Sequence, residues 1–171
     1  MVFAISRISS IGFALSIMLL ILFSIGSRLD QKAQAIESNY RIEDLMDAID
    51  ISLALDREDS QCPPSSWNKS LSSLVSSHLL SYEWSTNKEF TPSVVFRTIT
   101  STTGRTYEAP AFVQVTYKPL DSSMLTSLWN HQLLVRIDDA EAVFVRPVNT
   151  SYSSTNSYFD STDGCSVNST R

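Results

Sequence analysis

The sequence contains few of the residues that most enzyme sites need. The chain of 171 residues has four glycines and two histidines. Phosphate-binding loops need closely spaced glycines, because a backbone without side chains can approach the phosphate oxygens. Histidine is the commonest proton-transfer residue near neutral pH, and neither His78 nor His131 stands in a recognisable catalytic motif. We therefore expect no nucleotide site and no catalytic residue.

Basic clusters and metal-binding spacings are missing as well. The thirteen Lys and Arg residues are scattered singly in a chain of net charge −5, whereas nucleic-acid binding needs clustered positive charge. Neither Cys62 nor Cys165 has a neighbouring Cys or His, so a zinc site is not predicted. The acidic run around Glu43 to Asp50 lacks the glycine of a calcium-binding loop. The sequence predicts no nucleic-acid partner, no metal and no cofactor, and hence no enzyme.

A long apolar block stands near the N-terminus. No charged residue interrupts the 18 residues from Ile8 to Ile25. That length suffices to cross a bilayer thinly. Central Leu, Ile and Phe each favour insertion by about 0.3 to 0.6 kcal/mol, so the ten in this block supply on the order of 3 to 6 kcal/mol. They are Ile11, Phe13, Leu15, Ile17, Leu19, Leu20, Ile21, Leu22, Phe23 and Ile25.

Two interpretations of this block remain open, an uncleaved membrane anchor and a cleaved signal peptide. Both begin with a short basic segment, here carrying Arg7, and candidate cleavage sites follow Gly26 and Ala35. The anchor is preferred, because cleavage after Ala35 implies a long charged segment before the site and cleavage after Gly26 lies within the apolar run. We expect a single-pass protein of the inner (cytoplasmic) membrane, with its N-terminus inside and the bulk of the chain periplasmic or extracellular.

The two cysteines favour the same compartment. Cys62 and Cys165 both follow the apolar block, and an even pair flanking the folded region predicts a disulfide in an oxidising compartment. The alternative is two unpaired thiols.

Beyond the apolar block, a helical stripe of apolar residues follows. Its members recur at spacings of three and four, as in an amphipathic helix, and the opposite face carries Glu43, Asp44, Asp47 and Asp50, which we interpret as solvated. The prolines of Cys62-Pro63-Pro64 end this helix. We expect the stripe to contact partner proteins through Ile42, Met46, Ile49 and Leu53, with Leu45 also on it.

The rest of the chain predicts a small sheet. A short helix is expected over Leu71–Leu80, capped by Asn68 or Ser70, and another between Pro119 and His131. Runs rich in β-branched and aromatic residues predict four strands, of which the last two form a hairpin. The strands are expected at Val94–Thr100, Ala111–Tyr117, Leu133–Ile137 and Ala142–Val145.

These elements define an α+β fold, with a long N-terminal helix, membrane-spanning and then amphipathic, packed on a small antiparallel sheet. We divide the chain into an anchor (residues 1–26), an amphipathic helix (27–61), an extracytoplasmic α+β domain (62–148) and a polar tail (149–171) that is expected to be irregular except near Cys165.

This layout resembles type IV pilins and pseudopilins, and Gly12-Phe13-Ala14-Leu15 is similar to the start of a mature pilin. The sequence departs from that pattern at Ile11, where pilins have Lys or Arg, and at Ile17, where they have Glu. The segment Val115–Leu120 followed by a short helix is similar to PilM-type anchored proteins of thin-pilus and conjugation systems.

These resemblances imply an assembly protein without catalytic residues. We expect a membrane-anchored component of a pilus, secretion or conjugation apparatus that acts through protein contacts. Its expected partners are the lipid bilayer, other subunits of the apparatus and further copies of itself. The alternative is a secreted or anchored ligand-binding module of the cell surface.

Overall fold

A computed structural model describes residues 2–60, 62–100, 104–121, 124, 125, 128, 131–138, 140–148, 158, 159 and 165–167. Within these, the side chains of residues 2–14, 31, 158, 159, 166 and 167 are not described. The chain divides into two compact units, Met1–Ser38 and Asn39–Arg171.

One helix, α1, extends from Val2 to Ser60. The prediction that this helix ends at Cys62-Pro63-Pro64 is confirmed. The hydroxyl of Ser60 donates to the carbonyl of Asp56 at 2.7 Å and accepts from the amide of Cys62 at 3.3 Å. The Ser60 hydroxyl therefore satisfies one carbonyl of the final turn and one amide beyond it, at a helix end where backbone groups lack partners within the helix.

The second unit contains a four-stranded antiparallel sheet in the order β1-β2-β4-β3. The α+β fold class, with a long helix packed on an antiparallel sheet, is confirmed. The predicted hairpin of the last two strands is also confirmed. The strands are β1 (Phe90–Thr100), β2 (Thr106–Tyr117), β3 (Leu134–Ile137) and β4 (Ala142–Pro147).

The first two strands begin earlier than predicted, and each includes a proline. They were predicted to start at Val94 and Ala111, whereas β1 begins at Phe90 and β2 at Thr106. Proline cannot donate a ladder hydrogen bond, so each proline needs a position where that bond is not required. Pro92 lies in β1, which stands at an end of the sheet, where proline is tolerated. Pro110 lies where the register shifts: Val95 pairs with Phe112, but Phe96 pairs with Pro110. The bulge accommodates the proline within β2.

The core lies between α1 and one face of the sheet. In β2, Val113, Val115 and Tyr117 are buried, whereas the preceding Phe112 is 42% exposed, because successive side chains of a strand point to opposite faces. The helix contributes Ile42, Leu45, Met46, Ile49 and Leu53, each at most 3% exposed and in the same apolar cluster as these strand residues. The stripe packs within the chain.

Aromatic residues complete this core. The rings of Trp84 and Phe90 meet edge to face with centroids 5.3 Å apart, and Phe90 stacks on Tyr117 at 4.6 Å. Trp84 belongs to a short 3₁₀ helix, Tyr82–Thr86, that precedes β1. Trp84 is buried in the core and Trp67 is partly buried against it, whereas Trp129 lies outside the described residues.

The second helix, α2, spans Leu71–Ser76 and is shorter than predicted. Ser70 caps its start through the amide of Ser73, as expected. At its end His78 adopts φ 58°, and the amides of His78 and Leu79 donate to the carbonyls of Val75 and Leu74. This paired arrangement is the Schellman ending of a helix, with histidine at the position where glycine is usual.

The tail contains more structure than expected. Strand β5 (Tyr158–Phe159) pairs with β6 (Ser166–Val167), which follows Cys165 directly. Order was expected only near that cysteine, so β5 is the part that the sequence did not predict. Between Pro119 and His131, Met124 and Leu125 are helical, and residues 122, 123, 126, 127, 129 and 130 lie outside the described part.

Cys62 and Cys165 form a disulfide, as predicted. That bond joins residues 103 positions apart.

The burial of the helical stripe leads to a prediction about the free energy of unfolding. Replacing the fully buried Ile49 by Ala should lower the free energy of unfolding by about 2 to 5 kcal/mol, since it removes buried methylenes and leaves a cavity. The control Ile51→Ala, on the same helix but 39% exposed, should have a much smaller effect. Urea unfolding followed by tryptophan fluorescence measures both, and equal losses would contradict the burial.

Candidate functional site

The most unusual surface is an apolar stretch of α1 in the first unit. Every side chain from Leu15 to Ile25 is exposed, and none of these residues is charged. Phe23 is 79% exposed and Leu20 is 70% exposed. Because consecutive residues point in all directions around a helix, the whole circumference is apolar. Soluble proteins rarely expose a continuous apolar area of this kind, which marks an interaction with lipid or protein.

The predicted apolar block from Ile8 to Ile25, which includes this stretch, has a length close to the thickness of a bilayer. At 1.5 Å per residue, the 18 residues of the predicted block form a helix about 27 Å long, against a hydrocarbon thickness of about 30 Å. Its first seven residues, 8–14, have no described side chains. In the portion that the structure does describe, no helical segment is long and apolar enough to count as a membrane span.

Small polar groups at the end of this stretch are satisfied within the helix. The hydroxyl of Ser27 donates to the carbonyl of Ser24 at 3.2 Å. Such a bond removes the cost of taking a hydroxyl out of water. The first charges follow at Arg28, Asp30 and Lys32, all of which are exposed.

In the second unit, the most prominent polar cluster joins β4 to α1. The guanidinium of Arg146 binds Asp47 through Nη1 and Asp50 through Nη2, each at 2.8 Å. The Asp50 side chain is 4% exposed, whereas that of Asp47 is 65% exposed. The expectation that Asp50 is solvated is therefore wrong. A buried carboxylate of this kind needs a paired cation, and the position of Arg146 meets that need.

Our sequence analysis did not predict this ion-pair cluster, although the sequence contains a signal for it. Arg146 follows Ala142 and Phe144 at alternate positions of β4, and both of those side chains are fully buried. Alternation places Arg146 on the core face of the sheet, where an arginine requires an acidic partner. We assigned the acidic residues of α1 to solvent as one group, which concealed Asp50. The Arg146 cluster is structural, since it connects helix and sheet.

The predicted partner-contact residues occupy a different place from the exposed stretch. Ile42, Met46, Ile49 and Leu53 are covered by their own domain, so in this fold they are core residues and offer no free surface. The sequence showed one apolar stripe, and only the presence of a sheet to cover it decides whether it faces inward.

The loop after α1 is held close to that helix by two side-chain contacts. Trp67 donates from Nε1 to Ser52 at 3.2 Å, and Lys69 forms a 2.7 Å ion pair with Asp56. The Cys62–Cys165 disulfide joins the start of the same loop to the C-terminal tail. The hydroxyl of Ser52 lies on the buried side of the helix, 1% exposed, so the indole satisfies a polar atom in the core.

The two histidines have structural contacts. His78 forms the end of α2, as described above. The His131 ring meets Phe144 edge to face at 5.1 Å, and its Nδ1 accepts the amide of Leu133 at 3.1 Å. Partial burial lowers the pKa of His131 below its ordinary value of 6.5, while the carboxylate of Glu43 raises it by a smaller amount.

Other acidic residues form no evident reaction centre. Within the described ranges, no three His, Cys, Asp or Glu side chains come together as a metal-binding group. Glu83 and Glu108 are exposed, and Glu89 is half-buried beside the start of β1. Exposed carboxylates of this kind are ordinary solvated charges.

The Arg146 cluster supplies a matched pair of variants. Asp50→Ala removes the buried partner of Arg146 and should lower the free energy of unfolding by about 3 to 5 kcal/mol. Asp47→Ala removes an exposed partner and should lower it by less than about 1 kcal/mol. Urea denaturation of both variants tests the difference. If the two losses were the same, Asp50 would not be the carboxylate that fixes this arginine.

The lowered pKa of His131 predicts a pH dependence. Unfolded histidine takes up a proton near pH 6.5, but the folded ring resists until the pH is lower, so acid favours the unfolded state. The contribution is complete above about pH 6.5 and declines as the pH falls toward the folded pKa. Between about pH 7.5 and about pH 5, the melting temperature of the wild type should fall more than that of His131→Gln, which cannot titrate there. Parallel curves for the two proteins would refute this assignment.

Comparison with known proteins found no relative of this chain. No family model, no curated protein and no solved structure matches it.

Proposed function

We propose that the chain is a non-enzymatic, membrane-anchored component of a pilus, secretion or conjugation apparatus. Its N-terminal apolar helix lies in the inner membrane, and its α+β unit is displayed in the periplasm or outside the cell, where it acts through contacts with other subunits.

The exposed apolar circumference of α1 is the observation that carries this proposal. The eleven residues from Leu15 to Ile25 place large side chains such as Leu22 and Phe23 in solvent. In water this arrangement is unfavourable by about 25 cal/mol for each square ångström of apolar surface. In lipid the same side chains are solvated, and a helix satisfies its own backbone hydrogen bonds there.

The disulfide supports the proposed side of the membrane. Cys62 and Cys165 are oxidised to one another, and such bonds persist outside the reducing cytosol. Both cysteines follow the apolar helix in the sequence, so one crossing with the N-terminus inside delivers them to an oxidising compartment.

The fold supports an assembly role more than a catalytic one. A long N-terminal helix packed on a four-stranded antiparallel sheet agrees with the pilin-like architecture that the sequence resembles. The prominent polar clusters, at Arg146 and at Lys69, connect α1 to neighbouring elements of the same unit. Their ion pairs stabilise the packing and present no reactive group to a substrate.

Insertion of the apolar helix can be tested with charge. Ile17→Arg combined with Leu20→Arg places two arginines near the middle of the block, each costing about 2.5 to 3.5 kcal/mol. Their sum, about 5 to 7 kcal/mol, matches or exceeds the apolar contribution estimated from the sequence. We expect the full-length variant to be extracted from membranes by alkaline carbonate, whereas the wild type stays in the pellet.

The matched control carries the same added charge after the block. Ser27 and Gln34 are both exposed, and Ser27→Arg with Gln34→Arg leaves residues 8–25 unchanged. This variant should stay in the membrane pellet. Extraction of the wild type itself by carbonate would overturn the proposed anchoring.

A further inference from the structure

Exposed residues of α1 in the first unit repeat with a seven-residue period. Leucines stand at 15, 22 and 29, and Ile36 continues the series. A second series with the same period, Leu19, Gly26 and Ala33, alternates with the first at spacings of four and three residues. The first series occupies the d positions of a coiled-coil heptad and the second occupies the a positions. Together they form a seam on one side of the helix.

The seam lies on the free side of the helix. The large members Leu22, Leu29 and Ile36 are all more than half exposed. Among the described side chains of this unit, Ala35 and Ser38 are the buried ones. At about 100° per residue, these two lie on the side of α1 opposite to the seam. Nothing in the described part of this unit covers the seam.

The small residues of the seam have no evident role within the chain itself. A methyl group added at Gly26 would meet no atom within 4 Å, so its own chain does not require glycine there. Glycine inside a helix costs about 1 kcal/mol relative to alanine. Gly26 and Ala33, the two small residues of the seam, permit close approach of a second helix, since small residues at the interfaces of associating membrane helices let the backbones come close together.

The charges beside the seam favour a second copy of the same helix in the same direction. Lys32 stands at a g position, and Glu37, five residues later, stands at an e position. In a parallel pair the g residue of one helix lies beside the following e residue of the other. Two copies therefore place Lys32 of each beside Glu37 of the other, twice by symmetry. Insertion in one membrane, as proposed above, holds both copies in this parallel orientation.

We propose that two copies of this chain pair in parallel through the seam from Leu22 to Ile36, at the membrane surface and just beyond it. The inference rests on the proposed anchoring, which aligns the helices and confines them to a plane. It identifies one partner of the protein as the protein itself, and it assigns the contact to the exposed side of α1 and not to the stripe that the core buries.

Single cysteines test the seam. The two native cysteines are paired with each other, so an added cysteine supplies the reactive thiol. Ala33→Cys places it on the seam, and Gln34→Cys places it one residue away, on an exposed flank. Zero-length oxidative cross-linking of membranes that contain the full-length protein should give several-fold more dimer for Ala33→Cys. Carbonate extraction of the same membranes is measured in parallel.

The charges are tested in the Ala33→Cys background. Lys32→Glu and Glu37→Lys should each lower the dimer yield through like-charge repulsion across the pair, and the two together should restore it. Recovery in the double variant separates a contact between copies from a disturbance within one helix, because the reversed pair is complementary again.

Each outcome has a defined meaning. Equal dimer yields at positions 33 and 34 in carbonate-resistant membranes would overturn the pairing and leave the anchor intact. A product whose mass differs from twice that of the chain would also overturn it, in favour of another protein on the seam. Loss of the wild type from the membranes would overturn the proposed function instead.

Discussion

The packing of one helical stripe against one face of the sheet is the constraint on which the larger unit depends. A four-stranded sheet has an apolar face that must be covered by a second layer, and α1 supplies that layer. Ile42, Met46 and Ile49 are fully buried in contact with the cluster that includes Val115 and Phe144. The smaller features, including the stacked aromatic rings and the two-carboxylate arrangement around Arg146, are positioned by this contact.

The same helix has a different environment along each part of its length. From Leu15 to Ile25 it is apolar all round, between Leu22 and Ile36 it carries a seam on one side, and from Ile42 to Leu53 it buries a stripe in the core. Each change follows from the distribution of charge: none in the first part, a few flanking residues in the second and an acidic face in the third. A single regular helix thus presents three different surfaces along its length.

Local patterns in the sequence predicted most of the fold, and the predictions that were wrong failed for physical reasons. Period-two and period-3.6 apolar repeats located the strands and the long helix, and the cysteine pair predicted the disulfide. Strand starts were wrong at Pro92 and Pro110, because an outer strand and a bulge tolerate proline, and neither position is visible before the strand order is known. The burial of Asp50 depends on Arg146, 96 residues away in the chain, and such pairing needs the register of β4. The apolar segment near the N-terminus, in contrast, could be recognised from its composition alone.

The bond between Cys62 and Cys165 has a topological consequence for the response of the chain to proteolysis. It closes the intervening residues, which include all four strands of the sheet, into a covalent ring attached to the end of α1. Cleavage of the backbone at any single point of that ring leaves both pieces joined through sulfur. The strands would therefore stay attached to α1 after a single proteolytic cut within the ring, and their release requires either a second cut or a reductant.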